Sequence, residues 1–342
     1  MSDFSWPDTL ARLVHGEDLE RGTAAAAMRQ IMGGEATPAQ IGGFLLALRS
    51  KGETVDEIAG LAEVMREFSL KVTIDEPVVD TCGTGGDRAG TCNISTMAAL
   101  VVAGAGAKVA KHGNRAASSQ CGSADLLEAL GVTIELPPEG VAACIAEAGI
   151  GFLFAPAFHP AMRHAGPVRR ELGVPTVFNF LGPLTNPAGA RRQTIGVSDL
   201  GMAPKIAKAL VRLGAERAMV FRGDDGLDEL STVTTSQLWE VTDEVSRSTF
   251  DPLSLGIPRA QATDLHGGTA EDNAKIAERM LDGDGGPVAD AVALNAAAAL
   301  HVAGVAGDLA DGLGRARESI LSGAARTALE RLRETSQRAP AS

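Results

Sequence analysis

Along this chain the hydrophobic positions fall first at helical spacing and later in short β-branched runs. Over residues 7 to about 72 the apolar side chains recur every three or four places, as with Leu10, Leu13 and Val14, and an alanine-rich helix runs toward Met32. Thr37 followed by Pro38 and Gln40 supplies an N-cap, a proline at the first helical position and a capping-box partner, and Thr54 with Glu57 repeats the device. The reading is a module of about four helices, too small to enclose much ligand by itself and suited to docking. At Pro77-Val78-Val79-Asp80 the pattern changes to strands alternating with glycine-rich loops and helices. Further strands are expected at residues 108–111, 132–136, 151–154, 218–221 and 238–241. Helices are expected at 123–130, 139–149 and 203–213, with more in the last hundred residues. No internal repeat or low-complexity linker interrupts the pattern.

Composition narrows this picture. With 342 residues, 45% hydrophobic content and 40 glycines, the chain can bury a full core and has the turn-rich character of an α/β protein. A formal charge of -12 makes the surface as a whole repel nucleic acid and anionic membranes, so any anionic ligand must be captured locally. No apolar stretch reaches membrane-spanning length and the first residues lack a signal-peptide pattern, so a cytoplasmic location is expected. Cys82, Cys92, Cys121 and Cys144 form no Cys-x-x-Cys pair and read as free thiols.

Three constellations carry candidate chemistry. Gly83-Thr84-Gly85-Gly86-Asp87 follows the first strand and precedes Asn93-Ile94-Ser95-Thr96, which opens a helix through Ala105. Glycines let a backbone approach a ligand closely, and a helix start offers unpaired N–H groups to phosphate. The spacing is neither a Walker loop nor Gly-x-Gly-x-x-Gly, and a tight turn with an N-cap accounts for these residues equally well. The second constellation, Lys111-His112-Gly113-Asn114-Arg115-Ala116-Ala117-Ser118-Ser119, continues to Ser123 and gathers cations and hydroxyls on an otherwise acidic chain, as an anion cradle would. The third, Gly223-Asp224-Asp225-Gly226-Leu227-Asp228-Glu229-Leu230-Ser231, sets hard oxygen donors at a strand end, which suits magnesium but also a solvated turn.

Taken in order with the stretch from Phe158-His159-Pro160 through Arg169 and the segment Asn179-Phe180-Leu181-Gly182-Pro183-Leu184-Thr185-Asn186-Pro187, these motifs resemble the anthranilate phosphoribosyltransferases over nearly the whole chain. The resemblance implies an α/β protein of the pyrimidine nucleoside phosphorylase-like fold. In it a small helical domain (residues 1–75, joined by an insertion around 165–185) accompanies a large α/β domain with a mostly parallel central sheet (76–164 and 186–342). It also implies a homodimer, paired through the small domains, and a magnesium-dependent step of tryptophan biosynthesis in which the phosphoribosyl group of phosphoribosyl pyrophosphate is transferred to the amine of anthranilate and pyrophosphate is released.

Carried over by motif, Gly83, Gly86, Asp87, Thr91, Asn93, Ile94, Ser95, Thr96 and the run Lys111, His112, Gly113, Asn114, Arg115, Ala116, Ala117, Ser118, Ser119, with Ser123, are expected to hold phosphoribosyl pyrophosphate. Ser95, Asp228 and Glu229 are expected on magnesium, and Gly83, Asn114 and Arg169 on anthranilate. No residue is assigned as general base, because a neutral arylamine attacks without prior deprotonation; His112 is the candidate that could fill that role. Arg88 and Cys92 depart from the family pattern, which commonly has Gly and often Phe there, so loop mobility and phosphate affinity are expected to differ. A nucleoside phosphorylase is the rival enzyme, disfavoured by the Lys-His-Gly-Asn-Arg and Asn-Phe-Leu-Gly-Pro segments. A nucleic-acid-binding homologue is disfavoured by the net charge.

Overall fold

A computed structural model describes residues 4–116 and 120–339. Four helices come first, α1 (Trp6–Val14), α2 (Arg21–Met32), α3 (Pro38–Lys51) and α4 (Val55–Glu67). Both capping boxes form: Thr37 accepts from the Gln40 N–H at 3.3 Å while the Gln40 side chain accepts from the Thr37 N–H at 2.8 Å, and Thr54 with Glu57 does the same at 3.2 and 2.7 Å. The α/β region follows as β1 (Val79–Gly83), α5 (Ile94–Gly104), β2 (Val109–Gly113), α6 (Ser123–Ala129), α7 (Pro138–Ala148) and β3 (Ile150–Phe154). Three short helices, α8 (Ala155–Phe158), α9 (Gly166–Leu172) and α10 (Phe178–Leu181), lead to β4 (Arg192–Gly196), α11 (Ala203–Arg212), β5 (Arg217–Gly223), β6 (Ser236–Val241) and β7 (Val245–Phe250). The chain then runs through α12 (Ala270–Leu281), α13 (Pro287–Ala303), α14 (Leu309–Leu321) and α15 (Ala324–Arg338). Among the described residues no helix is long and apolar enough to cross a membrane.

The seven strands lie in the order β3-β2-β1-β4-β5-β6-β7. β3 through β5 are mutually parallel, and β6 and β7 add antiparallel pairs at one edge. Strand order therefore reverses between β1 and β4, and in open α/β sheets ligands bind beyond the strand ends at that point. Side chains alternate across β5: Met219 and Phe221 join an apolar cluster with α5, α7 and α13 to α15, whereas Ala218 and Val220 join a second cluster. That second cluster holds α11 and also the N-terminal helices, with Val168, Val177 and Phe178 packed among Ile41, Phe44 and Leu45. Helical module and sheet thus share one continuous apolar layer.

Several expected boundaries shift by one or two residues, and one expected strand fails. Over residues 132–136, Val132, Ile134 and Leu136 are buried while Thr133 and Glu135 are exposed, yet no strand pairs with them. Their extended backbone lies along α15 instead, where the Thr133 N–H donates to Ser336 Oγ at 3.0 Å. Two strands had no forecast. β4 is central but contains Gln193 and Thr194, both buried, so it lacks an apolar run; β7 is a polar edge whose residues 246–249 are exposed.

Candidate active site

At the reversal point the loops after β1, β4 and β5 interlock. The Thr84 N–H donates to Gly196 O at 2.9 Å, Ser198 Oγ donates to Gly85 O at 2.8 Å, and the Gly85 N–H donates to Asp228 Oδ2 at 2.7 Å. Glycine at the end of β4 is a steric demand, since a Cβ on Gly196 would lie 1.5 Å from the backbone oxygen of Asp228. This close approach sets Asp228 and Glu229 beside the start of α5, where the Ser95 N–H donates to Glu229 Oε1 at 3.0 Å. One of the helix's unpaired N–H groups thus meets a carboxylate, the pairing a helix start favours.

Negative charge is crowded here. Desolvation and the neighbouring Asp87 hold the Asp228 carboxyl up to about 7, and desolvation and Asp228 raise that of Glu229. A hard divalent cation would relieve this crowding, and the carboxylate oxygens with Ser95 Oγ are donors of the right chemistry. Among the described residues no group of three or more His, Cys, Asp or Glu side chains could hold a metal by itself. Magnesium would therefore complete its shell from substrate and water.

Lys111 projects from β2 into the same region. It is 2% exposed, and its ammonium donates to Thr81 O at 2.6 Å and approaches Ser95 Oγ at 3.5 Å. Burial lowers its pKa, opposed by Asp80. That aspartate is itself fixed, accepting from Asn186 Nδ2 at 2.8 Å and the His112 N–H at 3.1 Å.

The rest of the second constellation is only partly as expected. Asn114 accepts from Ser123 Oγ through its backbone oxygen at 3.2 Å, so β2 and the start of α6 meet. Asp125 accepts from the Ala116 N–H at 3.0 Å and the Gly122 N–H at 2.8 Å, fixing the base of the loop. The charge of Arg115 is already spent on Asp125 and Glu128, with its guanidinium over Phe154, so this residue offers the site backbone rather than a free cation. Ile94, 1% exposed, points into the core and likewise offers only backbone. Ala117, Ser118 and Ser119 lie outside the described residues.

Thr91 bridges to His266, and Asn93 is fixed from both sides: it donates to Cys121 O at 3.0 Å and accepts from Asn273 Nδ2 at 2.7 Å. Thr96 Oγ1 is buried without a partner. Gly83, Gly86 and Gly113 complete the loop ends. No disulfide forms among the described residues, and burial pushes the Cys92 thiol up to about 12.

Arg169 arrives on α9, away from the acidic pair. Its guanidinium lies 5.1 Å from the Phe178 ring centroid, burial lowers its pKa, and no carboxylate among the described residues pairs with it. Just after α10, Gly182 O lies 3.2 Å from His112 Nδ1, which must carry the proton it donates. Nε2 is left buried without a partner, and desolvation lowers His112 to about 3. The ring of His159, which has no metal spacing in the sequence, lies 5.1 Å away with its own Nε2 buried and unpartnered. Ser198 and Asn273 are shaping residues the sequence did not single out, whereas Asn186 and His159 stood in the family motifs without an assigned role and Asp125 carried a capping signal.

Residues 7–69 match the family model described as glycosyl transferase family, helical bundle domain, and residues 75–326 match glycosyl transferase family, a/b domain. Anthranilate phosphoribosyltransferase of Salinispora arenicola is 53% identical over 341 residues, covering 97% of this chain and 96% of the relative. The crystal structure of the Thermus thermophilus enzyme of that name superposes with a TM-score of 0.92 at 48% identity, covering 96% of this chain and 99% of the other. The Saccharomyces cerevisiae enzyme in complex with PRPP and Mg superposes at 0.90 with 28% identity, covering 98% and 99%. With both domains matched in order and more than half the residues shared with a full-length relative, the chain belongs to the anthranilate phosphoribosyltransferase family.

Proposed function

We propose that each part of the site serves one half of a single transfer. The chain moves the phosphoribosyl group of 5-phosphoribosyl 1-pyrophosphate to the amine of anthranilate, giving N-(5-phosphoribosyl)anthranilate and pyrophosphate, a step of L-tryptophan biosynthesis. What carries the reading is the division of charge: crowded carboxylates and a buried lysine gather at the sheet's reversal point, while Arg169 waits unpaired on another segment. A substrate with a pyrophosphate at one end and a small acid as its co-substrate answers both.

Gly83, Gly86, Asp87, Thr91, Asn93, Ser95, Thr96, Lys111 and Ser123, with the backbone of residues 112–116 and with Ser119, hold the phosphates. Ser95, Asp228 and Glu229 hold magnesium, which when bound supplies positive charge against the departing pyrophosphate. The C1–oxygen bond of the ribose breaks as the amine nitrogen bonds to C1, through an oxocarbenium-like state. Lys111 takes up charge on the leaving group, and the N–H groups at the start of α5 add fixed dipoles. Arg169 pairs with the anthranilate carboxylate, and Asn114 with the Gly83 backbone orients the ring. His112 is neutral near pH 7 and packs with His159 beside Gly182; the proton shed by the product amine passes to water or pyrophosphate.

The same reading places the domain division at residues 1–75 with 165–185 against 76–164 with 186–342, supported by Val168 and Phe178 packing among the N-terminal helices. The chain acts as a cytoplasmic homodimer. Turnover is tested by loss of anthranilate fluorescence in the presence of phosphoribosyl pyrophosphate and magnesium. Asp228→Asn with Glu229→Gln should lower turnover roughly a hundredfold or more without lowering the thermal midpoint. Full activity in that variant would remove the acidic pair from the mechanism.

A further inference from the structure

Arg88 has a conformation that its residue type resists. Its φ is +57°, and it is the only residue other than glycine with positive φ among the described residues. For an L-residue that region is strained, and such strain survives mainly where function holds it. Glycine would adopt it freely, and Gly85, Gly86 and Gly90 around it do so.

The side chain is exposed, and no carboxylate among the described residues pairs with it. Most other arginines of this acidic chain are engaged in ion pairs, as Arg12, Arg21, Arg29 and Arg115 are. Arg88 also follows Asp87, whose charge helps hold the Asp228 carboxyl high, and its loop is tied to Asp228 by the Gly85 N–H at 2.7 Å. An exposed, unpaired cation is therefore mounted on the loop that is tied to Asp228, whereas Lys111 of the same site is buried.

We propose that Arg88 is a further binding residue for the pyrophosphate group, closing over it from solvent and adding a planar fork of donors to the point charge of Lys111. Resting on the transferase reading, this makes the affinity for the diphosphate end of the substrate, and for released pyrophosphate, depend on a side chain that the loop's backbone does not need. A guanidinium matches two phosphate oxygens at once, which an ammonium cannot do. Strain retained at an exposed, unpaired arginine is what such a contact would explain.

The test uses Arg88→Gly, Arg88→Ala and Arg88→Lys in the full chain. Glycine and alanine should each raise KM for phosphoribosyl pyrophosphate about tenfold, the effect of one charge-assisted contact. Lysine should fall between them and the parent, and KM for anthranilate should move less than threefold in all. Arg88→Gly should keep or raise the thermal midpoint, because the left-handed backbone suits it, so its kinetic loss is not a folding loss. Calorimetric titration of the resting protein with magnesium pyrophosphate should show the same weakening, and it reports on Arg88 even if anthranilate proves not to be the acceptor. KM and pyrophosphate affinity within twofold of the parent in both Arg88→Gly and Arg88→Ala would overturn the proposal.

Discussion

A buried or half-buried side chain without a partner is costly, so each one marks where a ligand would be welcome. Arg169 fits that description by charge. Arg169→Ala should weaken apparent anthranilate affinity by roughly tenfold to a few hundredfold while shifting that for phosphoribosyl pyrophosphate much less, the range of a partly desolvated charge pair; equal losses would indicate misfolding. His112 fits it by lone pair. With its pKa near 3 it is a weak base, and His112→Gln should hold saturating turnover within about tenfold of the parent, below the range for loss of a general base. A hundredfold fall, with loss of an ionisation near neutrality, would make His112 the base after all. The same residue affects stability. Its folded pKa lies below the unfolded value of about 6.5, so the unfolded state binds the proton more readily. Stability is therefore lost as pH falls from about 6.5 toward 3, and thermal midpoints followed over that window should drop less steeply in His112→Gln than in the parent.

At the level of elements, local chemistry wrote some things into the sequence and long-range contact wrote the rest. The starts of α3 and α4 were legible because Thr37 with Gln40 and Thr54 with Glu57 act within one turn. So were the glycine loop after β1 and the acid pair after β5, whose order along the chain carries the family likeness. β4 was not, because its polar residues are paid for by distant partners: Gln193 donates to Pro183 O at 2.7 Å within the core. No local signal pointed to His159, whose ring folding brings to 5.1 Å from that of His112. Residues 132–136 misled in the opposite sense, since burial alternates there without a neighbouring strand. The tightest element-level constraint is Gly196. Gly196→Ala would drive a methyl into the Asp228 backbone, so it should destabilise by about 1–3 kcal/mol, the scale of overpacking. Because the displaced residue carries a carboxylate proposed to hold magnesium, turnover measured well below the melting transition should fall by more than the folded fraction does; parent-like turnover would show that the segment 224–231 can move aside.

Across the whole molecule, apolar surface is distributed unevenly. Among the described residues, Val14, Leu46, Phe68 and Leu70 lie in the N-terminal helical region or just after it, whereas the other large exposed apolar side chains, Val174, Leu200, Leu253 and Leu321, are scattered over the rest of the chain. A twofold partner covering the N-terminal helical face would explain the first four. Light scattering should report a dimer at micromolar concentration, and Val14→Glu with Leu46→Glu should shift it to monomer; a parent that is fully active as a monomer would count against the pairing. The free edge of the sheet is built to stay alone. β7 has one strand neighbour, its exposed positions are Ser246, Arg247, Ser248 and Thr249, and Arg247 stacks over Trp239 while donating to Gln237 at 3.0 Å. An open strand edge is a template for amyloid-like addition of further chains, and a charged, hydroxyl-rich strand of six residues is poor seed material. A chain of this build can thus be held at high concentration without recruiting further copies through its sheet.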